Sequence, residues 1–261
     1  MNTGGKRFLA VDQGNSFFKL SLFEGERLLE VCRIPSGSFD DVFEVIERWN
    51  PQCGSFCSVG RSEPRMLESL RIALDGNLMI MSRSVRLPVR IEYSTPESLG
   101  LDRIVLASGA ASVFKGENIM VVDAGTAVTL DLIIGGSSSG NGCHNSSAFV
   151  GGRISPGLFM RLKSLHQFTS ALPLVIAEGP TPLVGDSTDT AIRSGVVLGL
   201  ADEIVETFRQ YQKKFGCDRM LLTGGDAGVL YNRICSRIPV DHVPDLMARG
   251  LLYIYNHNEN K

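Results

Sequence analysis

The sequence predicts an α/β protein made of two related lobes, and three observations carry that reading. Two apolar runs, residues 8–11 and 119–122, each close on an aspartate, Asp12 and Asp123, followed two places later by a glycine and then a small polar residue. Each is succeeded by a second strand-like run, so one hairpin pattern occurs twice. A third strand-like run, 220–222, enters another glycine turn, Thr223-Gly224-Gly225-Asp226. The boundary is expected near 115–118, giving lobes 1–115 and 116–261.

Taken in order, residues 8–11 and 17–23 read as a hairpin with an acid at its tip, and 28–34 as a third antiparallel strand after the Gly25-Glu26 turn. Apolar spacing predicts helices over 39–49, about 63–74 and about 101–114, with strands at 53–59 and 77–81. In the second half, 119–122 and 127–134 form the repeated hairpin, and the Gly/Ser/Asn-rich 135–147 is a flexible loop. From 188 to 211, Ile192, Val196, Leu200, Ile204 and Phe208 recur every four residues, a long helix with a break expected near Gly195 or Gly199. Residues 244–255 read as a capping helix.

A chain of 261 residues, 43% hydrophobic, can bury a sizeable core, and its net charge of −2 offers no basic surplus for nucleic acid. The polar N-terminus leads into an apolar run cut short by Asp12, unlike a secretory signal or membrane anchor, so the expected location is cytoplasmic. The cysteines at 32, 53, 57, 143, 217 and 235 form no C-x-x-C pair or zinc pattern and are expected to be reduced. Gly136 to Gly140 spells G-x-S-x-G, but no helix follows to build a nucleophile elbow.

A strand-ending aspartate before a glycine turn suits a hydrated cation and phosphate, because carboxylate oxygen binds hard ions and glycine lets backbone N–H groups approach closely. A single Asp-x-Gly is a common turn, whereas its repetition points to a phosphate clamp. No G-x-x-x-x-G-K-[ST] occurs, so no P-loop can serve the phosphates.

With these motifs in hand, the chain resembles the acetate and sugar kinase, chaperone and actin superfamily, and within it the type III pantothenate kinases. The residues that carry the resemblance are Asp12-Gln13-Gly14-Asn15-Ser16, residues 96–103, Asp123-Ala124-Gly125-Thr126-Ala127-Val128-Thr129, Gly151-Gly152-Arg153-Ile154-Ser155-Pro156-Gly157 and Thr223-Gly224-Gly225-Asp226. The resemblance implies two ribonuclease-H-like, actin-like ATPase lobes with a central active-site cleft, and ATP-dependent phosphorylation of pantothenate. It implies ATP contacts from Asp12, Gln13, Gly14, Asn15, Ser16, Lys19 and Thr126, and a monovalent cation, K⁺ or NH₄⁺, on Asp123. Asp102 becomes the general base, with Gly100, Leu101, Arg103, Tyr93 and Thr188 on pantothenate. Mg²⁺ accompanies ATP, and the implied assembly is a homodimer.

The chemistry agrees with these roles, since phosphorylating a primary alcohol needs a base at the hydroxyl and cationic charge on the phosphates. Ser16, Phe17-Phe18 and Ile104-Val105-Leu106 depart from the family pattern. Leu158, Phe159, Leu162, Leu165 and Phe168, at near-helical spacing, are a candidate dimer stripe. The competing readings are a kinase for another small alcohol and a non-catalytic nucleotide-binding relative.

Overall fold

The computed structural model describes residues 5–14, 16–58, 60, 64–136 and 146–259. The chain forms two compact units, Met1–Lys115 with Asp245–Lys261, and Gly116–Pro244.

The first unit is laid down as β1 (Arg7–Gln13), β2 (Phe17–Glu24), β3 (Arg27–Pro35), α1 (Phe39–Trp49), β4 (Cys53–Ser58), α2 (Pro64–Ala73), β5 (Leu78–Ile80), β6 (Arg90–Ile91) and α3 (Leu101–Val113). Its main sheet has the order β3-β2-β1-β4-β5, with antiparallel β1/β2 and β2/β3 and parallel β1/β4 and β4/β5. Central β1 is apolar on both faces because both are covered. Leu9 and Val11 pack with Val42, Ile46 and Trp49 of α1 and with Met66 and Leu70 of α2, while Phe8 and Ala10 pack with Val105 of α3. The hairpin register sets Asp12 opposite Lys19, with Gln13 and Phe18 the last pair. The aspartate expected at the hairpin tip therefore sits inside the ladder, because the strand continues one residue past it before Gly14 turns.

Contrary to the expected 116–261 lobe, the last helix, α7 (Leu246–Glu259), belongs to the first unit. Ala248, Leu251, Leu252 and Ile254 bury against Phe8, Ala10 and Val105. Two glycines permit its close approach to α3: a Cβ on Gly250 would meet the Val105 carbonyl oxygen at 2.0 Å, and one on Gly109 would meet the Leu246 carbonyl oxygen at 2.4 Å. The far end is tied down by Arg86, which donates to the His257 carbonyl (2.8 Å) and accepts at its own carbonyl from the Asn258 amide (2.9 Å).

The second unit runs β7 (Ile119–Ala124), β8 (Ala127–Ile134), β9 (Ala148–Pro156), α4 (Leu158–Gln167), α5 (Thr188–Phe215), β10 (Arg219–Thr223), α6 (Ala227–Cys235) and β11 (Asp241–His242). Its strands follow the order β9-β8-β7-β10-β11, with the first two pairings antiparallel and the last two parallel. This repeats the first sheet strand for strand. Asp123 also lies inside its ladder, opposite Thr129 on β8 and Thr223 on β10.

α5 is one unbroken helix of 28 residues. Ser187 and Thr190 form a reciprocal capping box at its start, and Gly216 closes it at a φ of 61°. The break expected at Gly195 or Gly199 does not occur, since the buried face from Ile192 to Tyr211 holds the helix on both sides of them. α4 divides the anticipated dimer stripe: Leu158 and Leu162 are buried and Leu165 packs on the unit's own core, while Phe159 and Phe168 stand 60% and 80% exposed. Among the described residues, no helix is long and apolar enough to cross a membrane. The five described cysteines are unpaired, and Cys143 and most of the G-x-S-x-G segment lie outside the described residues.

Candidate active site

In the first unit, three ionisable side chains converge at the ends of β1, β2 and α3. Asp12 and Lys19 are cross-strand partners, and Asp102 enters from the first turn of α3. Burial pushes the Asp12 carboxyl up to about 6; the Lys19 ammonium opposes the rise and the Asp102 carboxylate adds to it. Two carboxylates within electrostatic reach of one ammonium leave excess negative charge, the environment in which a divalent ion binds. Among the described residues, the Gln13 amide oxygen is buried without a hydrogen-bond donor. An acceptor beside a carboxylate suits a hydrated Mg²⁺, whose waters donate. No cluster of three or more His, Cys, Asp or Glu side chains able to hold a metal occurs among the described residues. A carboxylate with a neighbouring amide acceptor fits an ion that takes its other ligands from phosphate oxygens and water.

The Asp102 carboxylate folds over the start of its own helix, where Oδ1 accepts from the Arg103 N–H at 2.9 Å. Gly100 makes room for it, as a Cβ there would lie 2.3 Å from that same oxygen. Arg103 is buried, with its guanidinium 5.8 Å from the centre of the Tyr93 ring. Leu101 packs partly on the core formed by Phe8, Val105 and α7. The structure therefore gathers Gly100, Asp102, Arg103 and Tyr93 around one helix start. Tyr93 itself lies just beyond the short β6.

Gly14 donates to the Phe17 carbonyl at 3.0 Å, and Ser16 accepts from the Ser36 N–H at 2.9 Å, which fixes the first turn on β3. Asn15, expected to contact ATP, lies outside the described residues. Sequence reading assigned nothing to Cys57, yet it is the β4 register partner of Asp12. Burial first, then Asp12 and Asp102, push its thiol up to about 12, so it stays neutral and unreactive.

In the second unit, the turn Gly125-Thr126 is braced from two sides. Gly157 donates to the Thr126 carbonyl at 3.1 Å, and a Cβ on Gly157 would stand 2.3 Å from the Gly125 carbonyl oxygen. Gly224, at a φ of 99°, lies against Ala124 and Asp123, where a Cβ would be 2.5 Å from Asp123 Oδ1. Asp226 donates its N–H to the Ala124 carbonyl at 2.9 Å. Its carboxyl is raised by burial and by Glu178, against a lowering hydrogen bond from the Leu158 N–H at the start of α4. The Thr129 hydroxyl, across from Asp123, is buried with no hydrogen-bond partner among the described residues. Carboxylate, hydroxyl and turn carbonyl are oxygen donors of the kind a monovalent cation takes. Thr188 occupies the first position of α5, with the neighbouring Ser187 as the cap.

The repeat thus sets Asp12 between Lys19 and Cys57, and Asp123 between Thr129 and Thr223. A family model described as type III pantothenate kinase matches residues 8–210. The chain belongs to the type III pantothenate kinases. A protein of that name from Christiangramia forsetii is 34% identical over 255 residues, covering 97% of this chain and 99% of the relative. Another, from Flavobacterium johnsoniae, is 36% identical, covering 88% and 90%. Among solved structures, component A of the (R)-2-hydroxyglutaryl-CoA dehydratase of Acidaminococcus fermentans superposes with a TM-score of 0.51 at 12% identity, covering 98% of this chain and all of the other. At that identity the likeness is one of fold alone.

Proposed function

We propose that this chain transfers the γ-phosphoryl group of ATP to the 4′-hydroxyl of pantothenate, the first step toward coenzyme A. Family membership supports the reaction, and the convergence of Asp12 and Asp102 in one unit is the observation that carries the assignment of roles. The hydroxyl oxygen forms the new bond to the γ-phosphorus, the bond from that phosphorus to the β-bridging oxygen breaks, and ADP leaves. Asp102, through the oxygen not engaged with the Arg103 N–H, accepts the hydroxyl proton. Arg103, oriented against Tyr93, offers its charge to the pantothenate carboxylate. Gly100, by lacking a side chain, leaves room for the Asp102 carboxylate beside the acceptor, while Leu101 and Thr188 complete the acceptor contacts.

Asp12, Gln13 and the turn through Gly14, Asn15 and Ser16 hold Mg²⁺ and phosphate, with Lys19 adding positive charge. The bound ion supplies charge neutralisation on the phosphates. Thr126 contacts ATP, and Asp123 with Thr129 holds K⁺ or NH₄⁺. The protein acts as a cytoplasmic homodimer. The exposed side chains of Phe159, Met160 and Phe168 are the surface assigned to the second copy, in place of the full stripe read from the sequence. Asp12, Asp102 and Asp123 are all present, which speaks against a non-catalytic relative. A coupled assay of ADP release with ATP, Mg²⁺, K⁺ and a panel of small alcohols tests the reading. Turnover confined to pantothenate supports it, and preference for another alcohol refutes the substrate.

A further inference from the structure

Arg161 on α4 is absorbed by none of the roles above, yet its side chain bonds a carbonyl, a hydroxyl and a carboxylate of the second unit. Its backbone N–H donates to the Gly157 carbonyl at 3.0 Å. Its side chain donates from Nε to the Pro156 carbonyl at 2.7 Å and from Nη2 to the Ser155 hydroxyl at 2.6 Å, while the same nitrogen pairs with Glu203 of α5. One residue therefore holds three consecutive positions, 155 to 157, and anchors them to the long helix. The last of these, Gly157, donates to the Thr126 carbonyl and leaves no space for a side chain between itself and the Gly125-Thr126 turn.

We propose that Arg161, clamped by Glu203, is a positioning residue for the nucleotide: it fixes the corner between β9 and α4, and that corner fixes the turn that carries Thr126. Arg161 touches neither the turn nor the substrate and acts through Gly157. The planar guanidinium matters, since it serves a carbonyl, a hydroxyl and a carboxylate at once, which a lysine ammonium on a flexible stem does not reproduce. The pair is partly shielded, so its charge-assisted bonds are stronger than those of a fully exposed ion pair. The inference rests on the assignment of Thr126 to ATP.

The test uses the full chain and Mg²⁺-ADP as the calorimetric probe, with hydrogen exchange of the peptide that contains the Gly157 amide. Arg161→Met is expected to speed exchange of that amide and to weaken ADP binding by about tenfold, the loss of one charge-assisted anchor. Arg161→Lys should fall between the two, and KM for pantothenate should stay within about twofold, a split that general destabilisation would not give. Glu203→Gln, which releases the clamp but leaves Arg161 in place, should shift ADP affinity in the same direction and serves as the test if Arg161→Met does not fold. Unchanged exchange, unchanged ADP affinity, or equal weakening toward ADP and pantothenate would each overturn the proposal. A wild-type chain that binds no ADP would overturn it together with the ATP assignment. ADP binding without pantothenate turnover would refute the proposed acceptor and leave the clamp supported.

Discussion

The α3/α7 crossing allows one substitution to be worked through. A Cβ placed on Gly250 meets the Val105 carbonyl oxygen at 2.0 Å, its carbonyl carbon at 2.8 Å and its Cγ1 at 2.9 Å. Two of these are backbone atoms, which no side-chain rotation can move aside, so the helices must separate by more than an ångström. Overpacking costs about 1–3 kcal/mol, and rigid neighbours place this site at the upper end. Alanine recovers roughly 1 kcal/mol of helix propensity over glycine. Gly250→Ala should therefore destabilise the protein by about 2 kcal/mol, against Gly195→Ala, where a Cβ meets nothing within 4 Å. That control should gain about 0.5–1 kcal/mol. Because Asp102 sits in the first turn of α3, turnover in Gly250→Ala should fall as well. Urea titration of both variants with kcat for each provides the assay. A Gly250→Ala protein as stable as Gly195→Ala would refute the close crossing and the placement of α7 in the first unit.

Other consequences follow from the charged groups and the exposed face. Burial of Asp12 raises its carboxyl from 3.8 to about 6, so the folded protein binds the extra proton between those values and its stability falls as pH rises through that window. Asp12→Asn should therefore stabilise the metal-free protein above about pH 6, with no gain below 3.8, while abolishing turnover; urea melts at both ends of the window check this. Asp123→Ala should remove most activity and all dependence on K⁺, and equal wild-type rates in Na⁺ and K⁺ would refute the cation role. Light scattering should give about twice the 28.4 kDa chain mass, and Phe168→Asp should lower it toward one. An unchanged dimer would exclude this face.

Much of this was legible because local pattern carried it. The two hairpins announced themselves through Asp12-Gln13-Gly14 and Asp123-Ala124-Gly125, and the α3 start through Gly100-Leu101-Asp102-Arg103. β9 escaped notice because Gly151, Gly152 and Pro156 mask its strand character, although Gly152 is required there: a Cβ would lie 2.3 Å from Asp131 Oδ1. The return of α7 to the first unit depends on a contact between Gly109 and residues 246–250, which no local period encodes. The places of Cys57 beside Asp12 and of Thr129 beside Asp123 come only from strand register. The stripe on α4 misled because Leu158 and Leu162 turn inward while Phe159 and Phe168 do not.

In the proposed mechanism Asp102 deprotonates the pantothenate hydroxyl as the phosphoryl group arrives from ATP. Mass spectrometry of pantothenate incubated with ATP, Mg²⁺, K⁺ and either the wild-type chain or Asp102→Asn tests it most directly. The wild-type chain should form 4′-phosphopantothenate in step with ADP, and the folded variant should do so slower by about 10² or more. Absence of the phosphorylated product from the wild-type reaction, or its formation by Asp102→Asn at a similar rate, would contradict the account.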